Sequence, residues 1–168
     1  LDIILQSGER LLSTINSLLD LAKIEANKME VVYTKTELQD FFTQLLKPLR
    51  KVAEMKHLSL DEDLRCQGIT APIDRRFTEM ILNNLVGNAI KYSKNGRIKV
   101  SVKVVDHLLT MKIEDQGQGI SEEFQKKMFE PFEQESTGHK RLYEGTGLGL
   151  AITKNLVSLL QGAIEIKS

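Results

Sequence analysis

From Leu1 to about Asn27 the apolar residues return at heptad spacing: Leu5, Leu12 and Leu19 form one row, Ile4, Leu11 and Leu18 the next, with Leu1 and Ile15 beside them. That spacing predicts one long amphipathic helix. Its stripe is wide and meets no partner helix of the same kind in the sequence, so it should pack on a further helix or another subunit. Packing on the chain's own core is the alternative. Met29 to Tyr33 reads as a short strand, and Glu37 to about His57 as a helix that Pro48 should kink or split. Leu58 to Leu64 alternates like a strand. Asp74 can cap a helix from Arg75 to about Tyr92, which Lys94-Asn95-Gly96 closes with a turn. Arg97 to Val105 and Leu108 to Glu114 read as a hairpin joined through Asp106 and His107. Ser121 caps a short helix that carries Glu122 and Glu123 in its first turn. Residues 133–145 show no periodicity and are expected to be mobile. Thr146 to Gln161 is a last helix stopped by Gly162, and Ala163 to Lys167 a last strand. Mixed elements without βαβ alternation predict an α+β fold, an α/β sandwich with helices on one face of a mixed sheet.

The 168 residues suffice for one domain with a real core plus one extra element. Lys and Arg total 23 and Asp and Glu 23, a balance that speaks against nucleic acid or an anionic membrane as partner. Cys66 is the single cysteine, so an intrachain disulfide and a cysteine-built zinc site are excluded, which suits a reducing, cytoplasmic setting. It reads as a small buried apolar residue. No apolar run has the length of a membrane span. The opening in mid-helix and the stop after a strand-like segment suggest a fragment of a longer protein.

Asn84, Asn88 and Lys91 stand at i, i+4 and i+7, so two amides and an ammonium share one helix face. An amide oxygen suits Mg²⁺ and a lysine suits phosphate. Taken alone, a solvated face accounts for them equally well. Asp115-Gln116-Gly117-Gln118-Gly119-Ile120 follows directly on a strand, where ligands commonly sit, and its glycines let the backbone come close to a flat or anionic group. An ordinary surface turn has the same composition. Gly145-Thr146-Gly147-Leu148-Gly149-Leu150 opens the last helix and places N–H groups for phosphate. Its G-x-G-x-G spacing is not that of a dinucleotide-binding turn, and no P-loop sequence occurs. Phe129-Glu130-Pro131-Phe132 lies between the two glycine segments and reads as a hydrophobic plug or as the anchor of a mobile lid. His57, His107 and His139 have no second ligand at metal spacing.

Together, Asn84 to Ser93, Asp115 to Ile120, Phe129 to Phe132 and Gly145 to Ile152 resemble, in order, the four boxes of the sensor histidine kinase catalytic domain. The resemblance spans nearly the whole chain. It implies the Bergerat ATP-binding fold over residues 29–168, preceded over 1–28 by the second helix of a dimerisation hairpin. It also implies ATP and Mg²⁺ as cofactors, with the γ-phosphoryl passed to a histidine and then to an aspartate of a response regulator. Asp115 would accept from the adenine amino group, Asn88 would hold Mg²⁺, and Asn84 and Lys91 would contact phosphate and carry catalysis. Tyr92, Gly117, Gly119, Ile120, Phe132, Arg141 and Gly145, Thr146, Gly147, Leu148, Gly149 and Leu150 would complete the nucleotide site, with Lys140 or Arg141 adding charge from the lid. A second kinase subunit, the phosphoacceptor helix and a receiver domain are the implied protein partners.

One departure changes the expectation. No histidine here has the acidic neighbour and Leu-Arg-x-Pro run of the family's acceptor, so the chain is expected to bind ATP without phosphorylating itself. The family's closing strand is also missing from the sequence. Gyrase-type, mismatch-repair and chaperone ATPases share the fold, and a pseudokinase that binds no nucleotide is a further alternative. The heptad helix and the Phe129-to-Phe132 segment favour the histidine kinase, as does asparagine where a gyrase-like enzyme has a glutamate base.

Overall fold

The elements of the computed structural model, which describes residues 2–135 and 145–168, follow the apolar periodicities closely. They are α1 (Asp2–Glu25), β1 (Thr34–Glu37), α2 (Leu38–Met55), β2 (Leu58–Arg65), β3 (Thr70–Ile73), α3 (Arg75–Tyr92), β4 (Gly96–Val105), β5 (Leu108–Glu114), α4 (Glu122–Gln125) and α5 (Gly149–Leu159). The chain divides into two compact units, Val32–Gly119 and Leu1–Val31 with Ile120–Ser168.

In the first unit β2, β4 and β5 form a mixed sheet, parallel between β2 and β4 and antiparallel between β4 and β5. Its two faces differ as strand alternation requires. Ile98, Val100 and Val102 are fully buried on β4 and align with Leu60 and Leu64 of β2 and Met111 and Ile113 of β5. The other face carries Asp63, Lys99, Lys112 and Glu114; Arg65 and Lys99 flank Asp63 at 2.9 and 3.7 Å. The Arg65 hydrogen bond, helped by the charge of Lys99, holds the Asp63 carboxyl below its ordinary value. Helices α2 and α3 cover the apolar face, and their buried side chains join those of the sheet in one core.

Pro48 does not split α2. It lies on the solvent side, so the carbonyl it leaves without a helical donor can be hydrated. Losing that bond and crowding the preceding turn cost about 3 kcal/mol. Burial of Leu38, Phe41, Phe42, Leu45 and Leu46 along one stripe contributes roughly 1.5–3 kcal/mol per side chain and outweighs it. Cys66 is fully buried beside Gln39, and burial, with Glu37 adding to it, pushes the thiol up.

Three expected strands or ends fall elsewhere. Met29–Tyr33 is not a strand, because the Val32 N–H is taken by Asp74 Oδ2 at 2.8 Å; pairing begins at Thr34, opposite Ile73. Its partner β3 contains Pro72, which a two-stranded ribbon with free edges tolerates. Helix α5 starts at Gly149 rather than Thr146, since Gly147 has φ 73°, and it ends with Gln161 in the left-handed region, before Gly162. Ala163 to Lys167 pairs with no described strand; its alternation survives only as half-buried Ile164 and Ile166.

In the second unit α1 packs on α5. Leu21 and Ile24 of α1 are buried, as are Ala151, Ile152 and Leu156 of α5. The rest of the α1 stripe, Leu5, Leu11, Leu12, Ile15, Leu18 and Leu19, is exposed, at 40% for Leu18 up to 63% for Leu12. The expectation of a partner from elsewhere therefore concerns this stripe, not the last turns. No described helix is long and apolar enough to cross a membrane.

Candidate functional site

Helix α3 owes its position to Asp74, which is 3% exposed yet fully engaged. Its Oδ1 accepts from the Phe77 N–H at 2.9 Å, its Oδ2 from Val32, and its carbonyl from the Thr78 hydroxyl at 2.7 Å. Phe77, Ile81, Leu82, Val86, Ala89 and Ile90 are buried. Asn84, Asn88 and Lys91 are half-buried on the remaining face, as the spacing predicted. Lys91 donates to the Tyr92 hydroxyl at 2.9 Å, which holds the ammonium beside the aromatic ring.

Strand β5 delivers Asp115 one residue beyond its last ladder pair, Lys99 with Glu114. The carboxylate is exposed, and its Oδ1 accepts from the Gly117 N–H at 2.8 Å. A Cβ on Gly117 would lie 2.7 Å from that oxygen and 3.0 Å from the Tyr92 carbonyl oxygen. The glycine thus lets the loop backbone rest on the end of α3, and it brings Asp115, Gly117 and Tyr92 together. Gly119 follows with φ 75°. Two participants were not singled out by the sequence reading. Gln116 accepts from the Arg97 N–H at 3.1 Å. Ser93, next to Tyr92, has the only buried side-chain oxygen or nitrogen among the described residues without a hydrogen-bond partner. Such an orphan costs about 1–3 kcal/mol and suits a bound water or ligand.

The second unit gathers the other boxes. Gln125 donates to the Ile120 carbonyl at 2.9 Å, and the Ile120 N–H donates to Ser168. Phe132 is 62% exposed and held at φ 68°, an unfavourable conformation for an aromatic residue. Its N–H donates to the Gly147 carbonyl at 3.0 Å. Gly147 passes so close that a Cβ there would stand 2.7 Å from the Phe132 carbonyl carbon. Gln134 reaches the Gly145 carbonyl at 2.6 Å, and the Leu148 N–H reaches the Thr146 hydroxyl at 3.3 Å. Leu148 itself is fully buried and supplies no side-chain cap to α5, which begins with Gly149 and Leu150. Arg141, with Lys140, His139 and most of the segment expected to be mobile, lies outside the described residues.

The family described as histidine kinase-, DNA gyrase B- and HSP90-like ATPase matches residues 73–168. The autoinducer 2 sensor kinase/phosphatase LuxQ of Vibrio vulnificus is 36% identical over 177 aligned residues, 99% of this chain and 20% of that protein. The circadian input-output histidine kinase CikA of Synechococcus elongatus is 37% identical over 165 residues, 96% of this chain and 22% of that one. This chain spans about one fifth of the length of these curated relatives. Full-length ShkA in complex with AMPPNP superposes with a TM-score of 0.82 at 26% identity, over 94% of this chain and 33% of that one. The histidine kinase AdeS of Acinetobacter baumannii gives 0.77 at 28% identity, over 94% and 72%.

Proposed function

The chain belongs to the histidine kinase-, DNA gyrase B- and HSP90-like ATPase family, and from that premise we propose that it binds ATP and presents the γ-phosphoryl group to a histidine on a phosphoacceptor helix outside these residues. The observation that carries this reading is the seating of Gly117 on the Tyr92 carbonyl. It sets an exposed carboxylate beside the end of a helix whose polar face carries two amides and an ammonium. The AMPPNP held by full-length ShkA supports the choice of an adenine nucleotide.

Asp115 accepts from the adenine amino group, with Gly117, Gly119 and Ile120 leaving the base room to approach. Asn84 and Lys91 draw on the phosphate oxygens, and Lys91 does so by leaving Tyr92. The glycine-rich start of α5, Gly145 to Leu150, is the segment that faces phosphate in this reading, with the positive end of the helix behind it. Among the described residues no three His, Cys, Asp or Glu side chains gather for a metal. Mg²⁺ would be held by the Asn88 amide oxygen together with phosphate and water oxygens. Bound so, it supplies charge neutralisation to the departing phosphoryl group. The chain's own part is positioning: the bond from the γ-phosphorus to the bridging oxygen breaks, a bond to the histidine ring nitrogen forms, and ADP leaves. In the whole protein, residues 1–28 belong to the dimerisation hairpin, a second subunit covers the α1 stripe, and the phosphoryl group passes on to a receiver-domain aspartate. The kinase portion is cytoplasmic.

Calorimetric titration with Mg-ATP and Mg-GTP tests the reading. A hydrogen bond to a charged group is worth about 1.5–3 kcal/mol, so ATP is expected to bind about ten- to a hundredfold tighter than GTP. Asp115→Asn should lose most of that preference. Binding of neither nucleotide by the unaltered chain would refute the proposal.

A further inference from the structure

The antiparallel ladder of β4 and β5 runs from Val105 with Leu108 to Lys99 with Glu114 and stops there. Continued by two residues, the same register would set Arg97 opposite Gln116. The backbone departs instead: after Asp115 it leaves β4, and Gly117 comes to rest on the end of α3. That departure would leave the Arg97 N–H without its strand partner, an unfavourable state for a backbone donor. The Gln116 side chain makes good the loss, since its Oε1 accepts the Arg97 N–H at 3.1 Å. The amide oxygen reaches in over Gly96, close enough that a Cβ there would run into Oε1 and have Gln116 Cδ at 3.4 Å. Arg97 is a firm anchor, because β4 stays paired with β2 through Gly96 with Leu58 and Arg97 with Ser59.

We propose that Gln116 is a positioning residue for adenine recognition: its side-chain amide stands in for the strand carbonyl and so fixes the direction in which Asp115 leaves the sheet. The proposal rests on the assignment of Asp115 to adenine made above. Asp115 is flanked by an anchor on each side, the ladder pair of Glu114 and the latch of Gln116, so its backbone has little freedom left. Its carboxylate is then aimed by the Gly117 N–H. Gln116 spends its amide on Arg97 and acts on the nucleotide only through Asp115.

Two substitutions separate this role from general stability. Gln116→Met keeps the length and removes the acceptor; Gln116→Glu keeps both. ATP and GTP titrations of each variant are combined with amide hydrogen exchange at Arg97 and a thermal midpoint. Gln116→Met is expected to cut the ATP-over-GTP preference about tenfold, the size of one hydrogen bond, with GTP affinity unchanged. Arg97 should exchange faster in that variant, and Gln116→Glu should restore both readings. If Gln116→Met does not fold, Gln116→Asn, one methylene too short to reach Arg97, should show the same loss. A preference that survives loss of the acceptor overturns the latch, as does a parallel fall in affinity for both nucleotides, and neither result touches the assignment of Asp115 to adenine. Absence of any nucleotide binding by the unaltered chain overturns the Asp115 assignment and this proposal with it.

Discussion

Gly117 leaves room for nothing larger than hydrogen between the Asp115 carboxylate and the Tyr92 carbonyl. Its φ is not in the left-handed region, so alanine brings steric displacement without backbone strain. Gly117→Ala is therefore expected to weaken ATP binding about tenfold, or about 1.4 kcal/mol, while the thermal midpoint moves little. Calorimetry and a melting curve on the same sample check both halves. The helical spacing of Asn84, Asn88 and Lys91 made their shared face legible, because periodicity is local. The work of Gln116 was not legible. It depends on where an antiparallel register ends, and that is settled by two strands and the helix end together. The orphaned Ser93 hydroxyl was hidden for the same reason: a serine after a helix reads as solvated until burial is known.

Among the elements, α3 depends most on one residue. Asp74 was recognisable as a cap from its place before the helix, but its second oxygen, which holds Val32, links residues far apart in the chain. Asp74→Ala removes the cap and leaves the Val32 donor unpaired. The expected cost is about 2–4 kcal/mol, a cap of about 1 kcal/mol and an unmet donor of about 1–3. Urea unfolding measures it, and a loss below about 0.5 kcal/mol would show that water replaces the carboxylate. The same link explains why Met29 to Tyr33, apolar but for Glu30, is not a strand. Pro48 does not split its helix, because its cost is local while the buried stripe of α2 is worth several times as much.

At the scale of the molecule, the heptad stripe of α1 lies exposed from Leu5 to Leu19, and the proposed second subunit would cover it. Leu12→Glu with Leu19→Glu changes side chains that are 63% and 52% exposed, so unfolding and ATP binding should stay as they are. Sedimentation should show the unaltered chain self-associating and the variant as a monomer. A variant that sediments like its parent would place the second subunit elsewhere. The mixed sheet has a different consequence, in time rather than in energy. β4 and β5 meet across Asp106 and His107, both at positive φ as a tight hairpin turn requires, and such a contact closes within microseconds. β2 can meet β4 only after the whole of β3 and α3 has been gathered in, since the two run parallel. The hairpin is therefore an early folding event and the parallel seam a late one. Ser59 with Arg97 lies in that late seam, so the anchor on which the Asp115 loop is fastened is among the last parts of the protein to become fixed.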